Sequence, residues 1–125
     1  MCHQTVSLIA RHLEANGVPT VVLGCARDIV EHAGVPRFLW SDFPLGNSAG
    51  KPADVTSQRR TLNLALGLFE KADAPRYTVT SSQTWSEDLK WQLDFMNIDM
   101  LSNVQLEKLK AEFVEQKRVA RATQT

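Results

Sequence analysis

The residue types in this chain that can do chemistry gather in three places: Cys2 with His3, Cys25, and the segment from Asp42 to Lys51. A cysteine in front of a helix faces unsatisfied N–H groups and the positive end of the helix dipole, a setting that favours the nucleophilic thiolate. Cys2 is therefore a candidate nucleophile, with an inert terminal thiol as the alternative. His3 is a candidate base or ligand beside it, although neighbouring helical positions diverge by about 100°, so a direct Cys2–His3 pair is not assured. Cys25 is a candidate resolving thiol, the alternative being a small buried apolar side chain. The segment "DFPLGNSAGK" supplies Asp42, Gly46, Asn47, Ser48, Gly50 and Lys51 as candidate substrate-binding residues, able to wrap a small anion or carboxylate through backbone N–H groups. A flexible connector is the other reading of that stretch. It is not a Walker loop, which needs Gly-x-x-x-x-Gly-Lys-[Ser/Thr]; Gly46 and Gly50 stand too close and Pro52 follows Lys51. A zinc site would need four ligands at spacings such as Cys-x-x-Cys, so no metal is expected.

The elements that must position these residues follow from periodicity. Val6, Ile9, Ala10 and Leu13 repeat at helical spacing up to Asn16-Gly17, a helix end. "VPTVVLG" is a β-branched run suited to a buried strand, with Pro19 at its start. "ARDIVEHAG" predicts a second helix and "RFLWSDF" a second extended run, so that Gly17-Val18-Pro19 and Gly34-Val35-Pro36 both join a helix to a strand. The long loop 42–56 leads to a helix over "SQRRTLNLALGLFEKA", with Leu62, Ala65, Leu66 and Phe69 on one face. "RYTVT" predicts a third strand. Thr84 to Glu87 and Ser102 to Gln105 have capping-box spacing before two further helices. The first has Trp85, Leu89, Phe95 and Met96 as its apolar surface, and the second has Leu106, Leu109 and Phe113 as its stripe. Residues 122–125 are expected to fray.

Strands alternating with helices imply right-handed crossovers and a parallel sheet. The expected fold is α/β with three layers: a small, mostly parallel sheet of flavodoxin-like or Rossmann-like type, and a helical C-terminus. One domain is expected over residues 1–125, with 103–125 a helix packed on that domain or on a partner. Ligands of such sheets bind beyond the carboxyl ends of the strands, which would bring Cys2, Cys25 and the Asp42 loop to one edge.

The 14 basic residues cancel the 14 acidic ones, so no global field draws the chain to nucleic acid or an anionic membrane. No apolar run approaches a membrane span and no secretory signal opens the chain, which makes the cytoplasm the expected compartment. Two cysteines are too few for a disulfide scaffold. The pattern places a strand ahead of the first helix, where the chain begins instead. A shortened chain, a partner completing the sheet, or an unusual edge would each account for that, and an uncovered edge favours a homo-oligomer.

The stretches "CHQTVSLIARHLEANGVPTVVLG", "RFLWSDFPLGNSAGKP" and "QRRTLNLAL" resemble the selenoprotein B family of glycine, sarcosine, betaine and D-proline reductases, in particular its small bacterial relatives. The resemblance covers residues 2 to about 75 and is most specific in "DFPLG" and "GVPTV". It implies reductive cleavage of a C–N bond by a selenocysteine or cysteine beside a strand end. It also implies a partner subunit bearing a pyruvoyl group, and a thioredoxin-type electron donor. No cofactor is implied on this chain itself. Cys2 matches a position near the family's redox motif, but selenocysteine and the preceding strand are not in this sequence. A non-catalytic α/β module recognising a small anion or a partner protein is the alternative function.

Overall fold

The computed structural model describes residues 2–94 and 102–123. Their order is α1 (Cys2–Ala15), β1 (Val22–Gly24), α2 (Arg27–Ala33), β2 (Arg37–Trp40), α3 (Val55–Lys71), β3 (Tyr77–Thr80), α4 (Lys90–Asp94) and α5 (Asn103–Thr123). The chain divides into two compact units, Met1–Glu87 and Asp88–Thr125.

The first unit holds a parallel sheet in the order β1-β2-β3, with Gly24, Trp40 and Thr80 in register at the carboxyl end. Side chains alternate between its faces, as a pleated strand requires. Val22 and Phe38 join Ala10 of α1 and Val30 of α2 in one buried cluster, with Val35. Leu39 joins Ala65 and Leu68 of α3 in the other, flanked by Leu23, Tyr77 and Val79. Helices therefore cover both faces, and the unit is a small three-layer α/β fold.

Two parts of the sequence-based picture change. Right-handed crossovers along a β1-β2-β3 order would put α2 and α3 on the same face. They lie on opposite faces, so the two crossovers have opposite hands. The segment 41–54 between β2 and α3 is long enough to carry the chain to either face. The expected apolar stripes are also largely outside. Val6, Ile9 and Leu13 of α1 and Leu62, Leu66 and Phe69 of α3 are exposed, while Ser7 and Ala10, and Ser57, Thr61, Ala65 and Leu68, face inward. Small side chains on the inner faces let the helix axes approach the sheet closely; Thr61 and Ser7 satisfy their hydroxyls on carbonyls one turn back.

The Gly-Val-Pro repeat ends both helices as expected, with Gly17 and Gly34 in the left-handed conformation. Helix α3 starts earlier than predicted because Asp54 caps it, accepting from the Ser57 N–H at 2.9 Å. Thr84 to Glu87 does not start a helix; Trp85 packs edge-on against Phe43 instead, with ring centroids 5.3 Å apart.

In the second unit the expected Ser102 box is formed: Gln105 Oε1 accepts the Ser102 N–H at 3.0 Å and Ser102 Oγ accepts the Gln105 N–H at 3.3 Å. Phe113 of the expected stripe is exposed. Phe95, Met96 and the Leu109 side chain lie outside the described residues, as do residues 124–125 of the fraying tail.

Candidate functional site

At the carboxyl edge of the sheet, three residues follow the strands side by side: Cys25 after β1, Ser41 after β2 and Ser81 after β3. Backbone hydrogen bonds carry the alignment past the strands, from Ser41 N–H to Gly24 C=O and from Ser81 N–H to Trp40 C=O. The start of α1 is laid over this edge. Gly24 makes that approach possible, since a Cβ there would lie 3.0 Å from His3 Cδ2 and 3.1 Å from Phe38 Cε2.

His3 is the link between the two cysteines. Its Nδ1 stands 3.6 Å from Cys2 Sγ, and its Nε2 accepts the backbone N–H groups of Cys25 at 3.1 Å and Ala26 at 3.3 Å. The divergence of adjacent helical positions is overcome because the ring turns back along the helix to meet the first residue. Cys2 is exposed, Cys25 half-buried, and both are free thiols. Burial raises the Cys25 pKa above the ordinary thiol range and the nearby Asp42 carboxylate adds to that, while backbone N–H groups of Asn47 and Phe43 oppose it in part. Cys25 is thus kept as a thiol at neutral pH.

The loop 41–54 divides. Its first half, Asp42 to Asn47, bears on Cys25. Asn47 braces the turn by donating from Nδ2 to the Pro44 carbonyl at 3.0 Å, and Gly46 supplies a left-handed residue there. Gly50 and Lys51 belong instead to the start of α3. Lys51 N–H donates to Ser57 Oγ and Gln58 Nε2 donates to the Lys51 carbonyl, both at 3.0 Å. Ser57 Oγ in turn donates to Gln83 Oε1 at 2.7 Å, and Gln83 Nε2 to Thr61 Oγ1 at 2.8 Å. A shallow depression of about 270 Å³ opens there, lined by Lys51, Asp54, Ser57, Arg60 and Gln83 among others. Ser48, midway, is half-buried. The structure therefore brings Cys2, His3, Cys25 and the Asp42–Asn47 turn together and sets Gly50 and Lys51 in a second cluster.

Two residues that matter here were not singled out as site residues by their type. Trp40 Nε1 donates to the Cys25 carbonyl at 2.9 Å, and the Arg27 guanidinium lies 5.3 Å above the Trp40 ring. Together they hold the Cys25–Ala26 peptide, whose own N–H donates to His3. The available signal was position: Trp40 is the last residue of its strand. His12, His32, Arg59 and Arg60 are exposed, as helical surface positions should be. Among the described residues no group of three His, Cys, Asp or Glu side chains is placed to hold a metal ion, and no helix is long and apolar enough to cross a membrane.

No protein-family model matches the chain, and no solved structure matches it. Over 58 residues, 46% of this chain, it is 29% identical to D-proline reductase subunit gamma of Acetoanaerobium sticklandii. The aligned stretch is 24% of that subunit, so the chain spans about a quarter of the relative's length. This is a distant relationship to that reductase family, resting on less than half of the chain.

Proposed function

We propose that this chain is a thiol-bearing component of an amino-acid reductase of the D-proline type, with Cys2 as the attacking sulfur in place of selenocysteine. The observation that supports this reading most is the His3 bridge, which joins an exposed cysteine to the Cys25 backbone at the sheet edge where α/β proteins bind ligands. In the proposed reaction the Cys2 thiolate attacks the substrate carbon; a C–S bond forms, the C–N bond breaks and the amine nitrogen takes a proton. Cys25, once deprotonated, attacks the Cys2 sulfur; an S–S bond forms, the C–S bond breaks and the carbon takes a proton. The substrate gains two electrons and the two thiols lose them, to be restored by a dithiol donor of thioredoxin type. A pyruvoyl-bearing partner subunit would activate the amine. The half-buried Cys25 suits the later role, because a thiol held protonated does not compete with Cys2 for substrate.

Oxidation of the reduced protein with diamide tests this reading. The expected product is an intrachain Cys2–Cys25 disulfide, lighter by two hydrogens, reversed by a dithiol and absent in Cys25→Ser. Only intermolecular disulfides, or none, would overturn the two-thiol scheme.

The depression at the start of α3 favours a second reading, a binding module for a small anion, through Lys51 and Arg60. It predicts a rise in melting temperature with small carboxylates or phosphate that persists in Cys2→Ser and is lost in Arg60→Gln. An unchanged melting temperature in the wild type would remove it.

A further inference from the structure

His3 Nε2 faces two backbone N–H donors, from Cys25 and Ala26. A ring nitrogen that accepts hydrogen bonds carries no proton, so in the neutral imidazole the proton sits on the other nitrogen, Nδ1. That nitrogen is the one 3.6 Å from Cys2 Sγ. Charging the ring would place an N–H on Nε2 against two N–H groups already directed at it, and both bonds would be lost. The two donors are themselves held from behind. Trp40 fixes the Cys25 carbonyl, and Gly24 leaves no Cβ in the ring's place.

We propose that His3 is a positioning residue, locked by the Cys25–Ala26 backbone as the Nδ1–H tautomer, which donates to the Cys2 sulfur and does not take its proton. This deepens the reading of Cys2 as the attacking sulfur and rests on it. It reverses the usual role of a histidine beside a nucleophilic cysteine: the proton of Cys2 leaves to solvent or substrate, and the ring stabilises sulfur as it carries charge. The same ring ties the first turn of α1 to the end of β1, so donor direction and sulfur position are set by one side chain.

The decisive measurement is a long-range ¹H–¹⁵N correlation on uniformly ¹⁵N-labelled, full-length reduced protein at neutral pH. A protonated Nδ1 with a non-protonated Nε2 at His3 is expected, distinct from the exposed His12 and His32, which serve as internal references. An Nε2–H tautomer, a rapidly exchanging mixture, or an imidazolium at His3 would overturn the proposal. A second arm follows alkylation of the Cys2 peptide by iodoacetamide in wild type and His3→Gln, whose amide oxygen can accept in place of Nε2 while offering nothing at Nδ1. A donor that favours the thiolate also tempers its nucleophilicity, so the variant is expected to label only about threefold more slowly. Equal rates would show that His3 does not act on the sulfur. Failure of the underlying reading looks different: wild-type Cys2 would then label no faster than a free model thiol.

Discussion

At the residue scale the two cysteines of this chain are set apart by their surroundings. Cys2 is exposed, with the Nδ1 of His3 3.6 Å from its sulfur, whereas burial and the Asp42 carboxylate hold the Cys25 thiol protonated. A raised folded-state pKa means that the folded protein holds this proton more tightly than the unfolded chain. The associated stability is complete below the ordinary value of 9.0 and is lost as pH rises through the folded value. The expected outcome is a melting temperature that falls as pH rises above 9.0, with part of the fall removed in Cys25→Ala; thermal denaturation on either side of that pH checks it. Glu14 works in the opposite sense. Desolvation opposes its charge, but the Thr20 N–H and hydroxyl and the Arg37 guanidinium outweigh that, and its pKa is lowered. Its contribution is present above 4.5 and is lost as pH falls through the lower folded value. Glu14→Gln removes the carboxylate from the half-buried Arg37, which keeps the Thr20 carbonyl and the Phe69 ring, so urea melts at neutral pH should show a loss of about 1–3 kcal/mol that shrinks in acid.

At the element scale, the join between the loop and α3 depends on one glycine. Gly50 has φ 111°, and a Cβ there would lie 2.8 Å from Gln58 Cα, a backbone atom that cannot step aside. Gly50→Ala is therefore expected to cost about 1–3 kcal/mol and to disturb the Ser57–Gln83–Thr61 network while leaving Cys2 labelling close to wild type. Denaturant melts paired with alkylation rates check both halves. The helices teach a second lesson. Apolar residues at Leu62, Leu66 and Phe69 recur with a helical period, which locates α3 in the sequence, yet the inward face is the one carrying Ser57, Thr61 and Ala65. Period reports that a helix exists; which side is buried depends on how close the sheet comes.

At the scale of the whole molecule, β1 and β3 are the two edges of the described sheet, and exposed apolar side chains flank it on α1 and α3. Parallel sheets are usually covered on both faces and at their edges. Concentration-dependent self-association is the expected outcome in sedimentation velocity, weakened by Ile9→Lys, a site 53% exposed in the isolated chain. A monomer at every concentration would count against it.

Much of the first unit was legible before any coordinates. Alternating runs of two periods, punctuated by Gly-Val-Pro, determine the order of helices and strands and the parallel sheet, because backbone geometry ties hydrophobic spacing to element type. The same pattern placed Cys2, Cys25 and the Asp42 turn at one edge. Only the tertiary structure decided that His3 turns back to meet Cys2 while accepting from Cys25, that Trp40 holds that peptide, and that Lys51 belongs to a different cluster. It alone decided the opposite hands of the two crossovers. These features depend on contacts between residues far apart in the chain, such as His3 with Ala26 and Ser57 with Gln83. Spacing along a sequence encodes the element a residue sits in, but not the partner that folding carries to it.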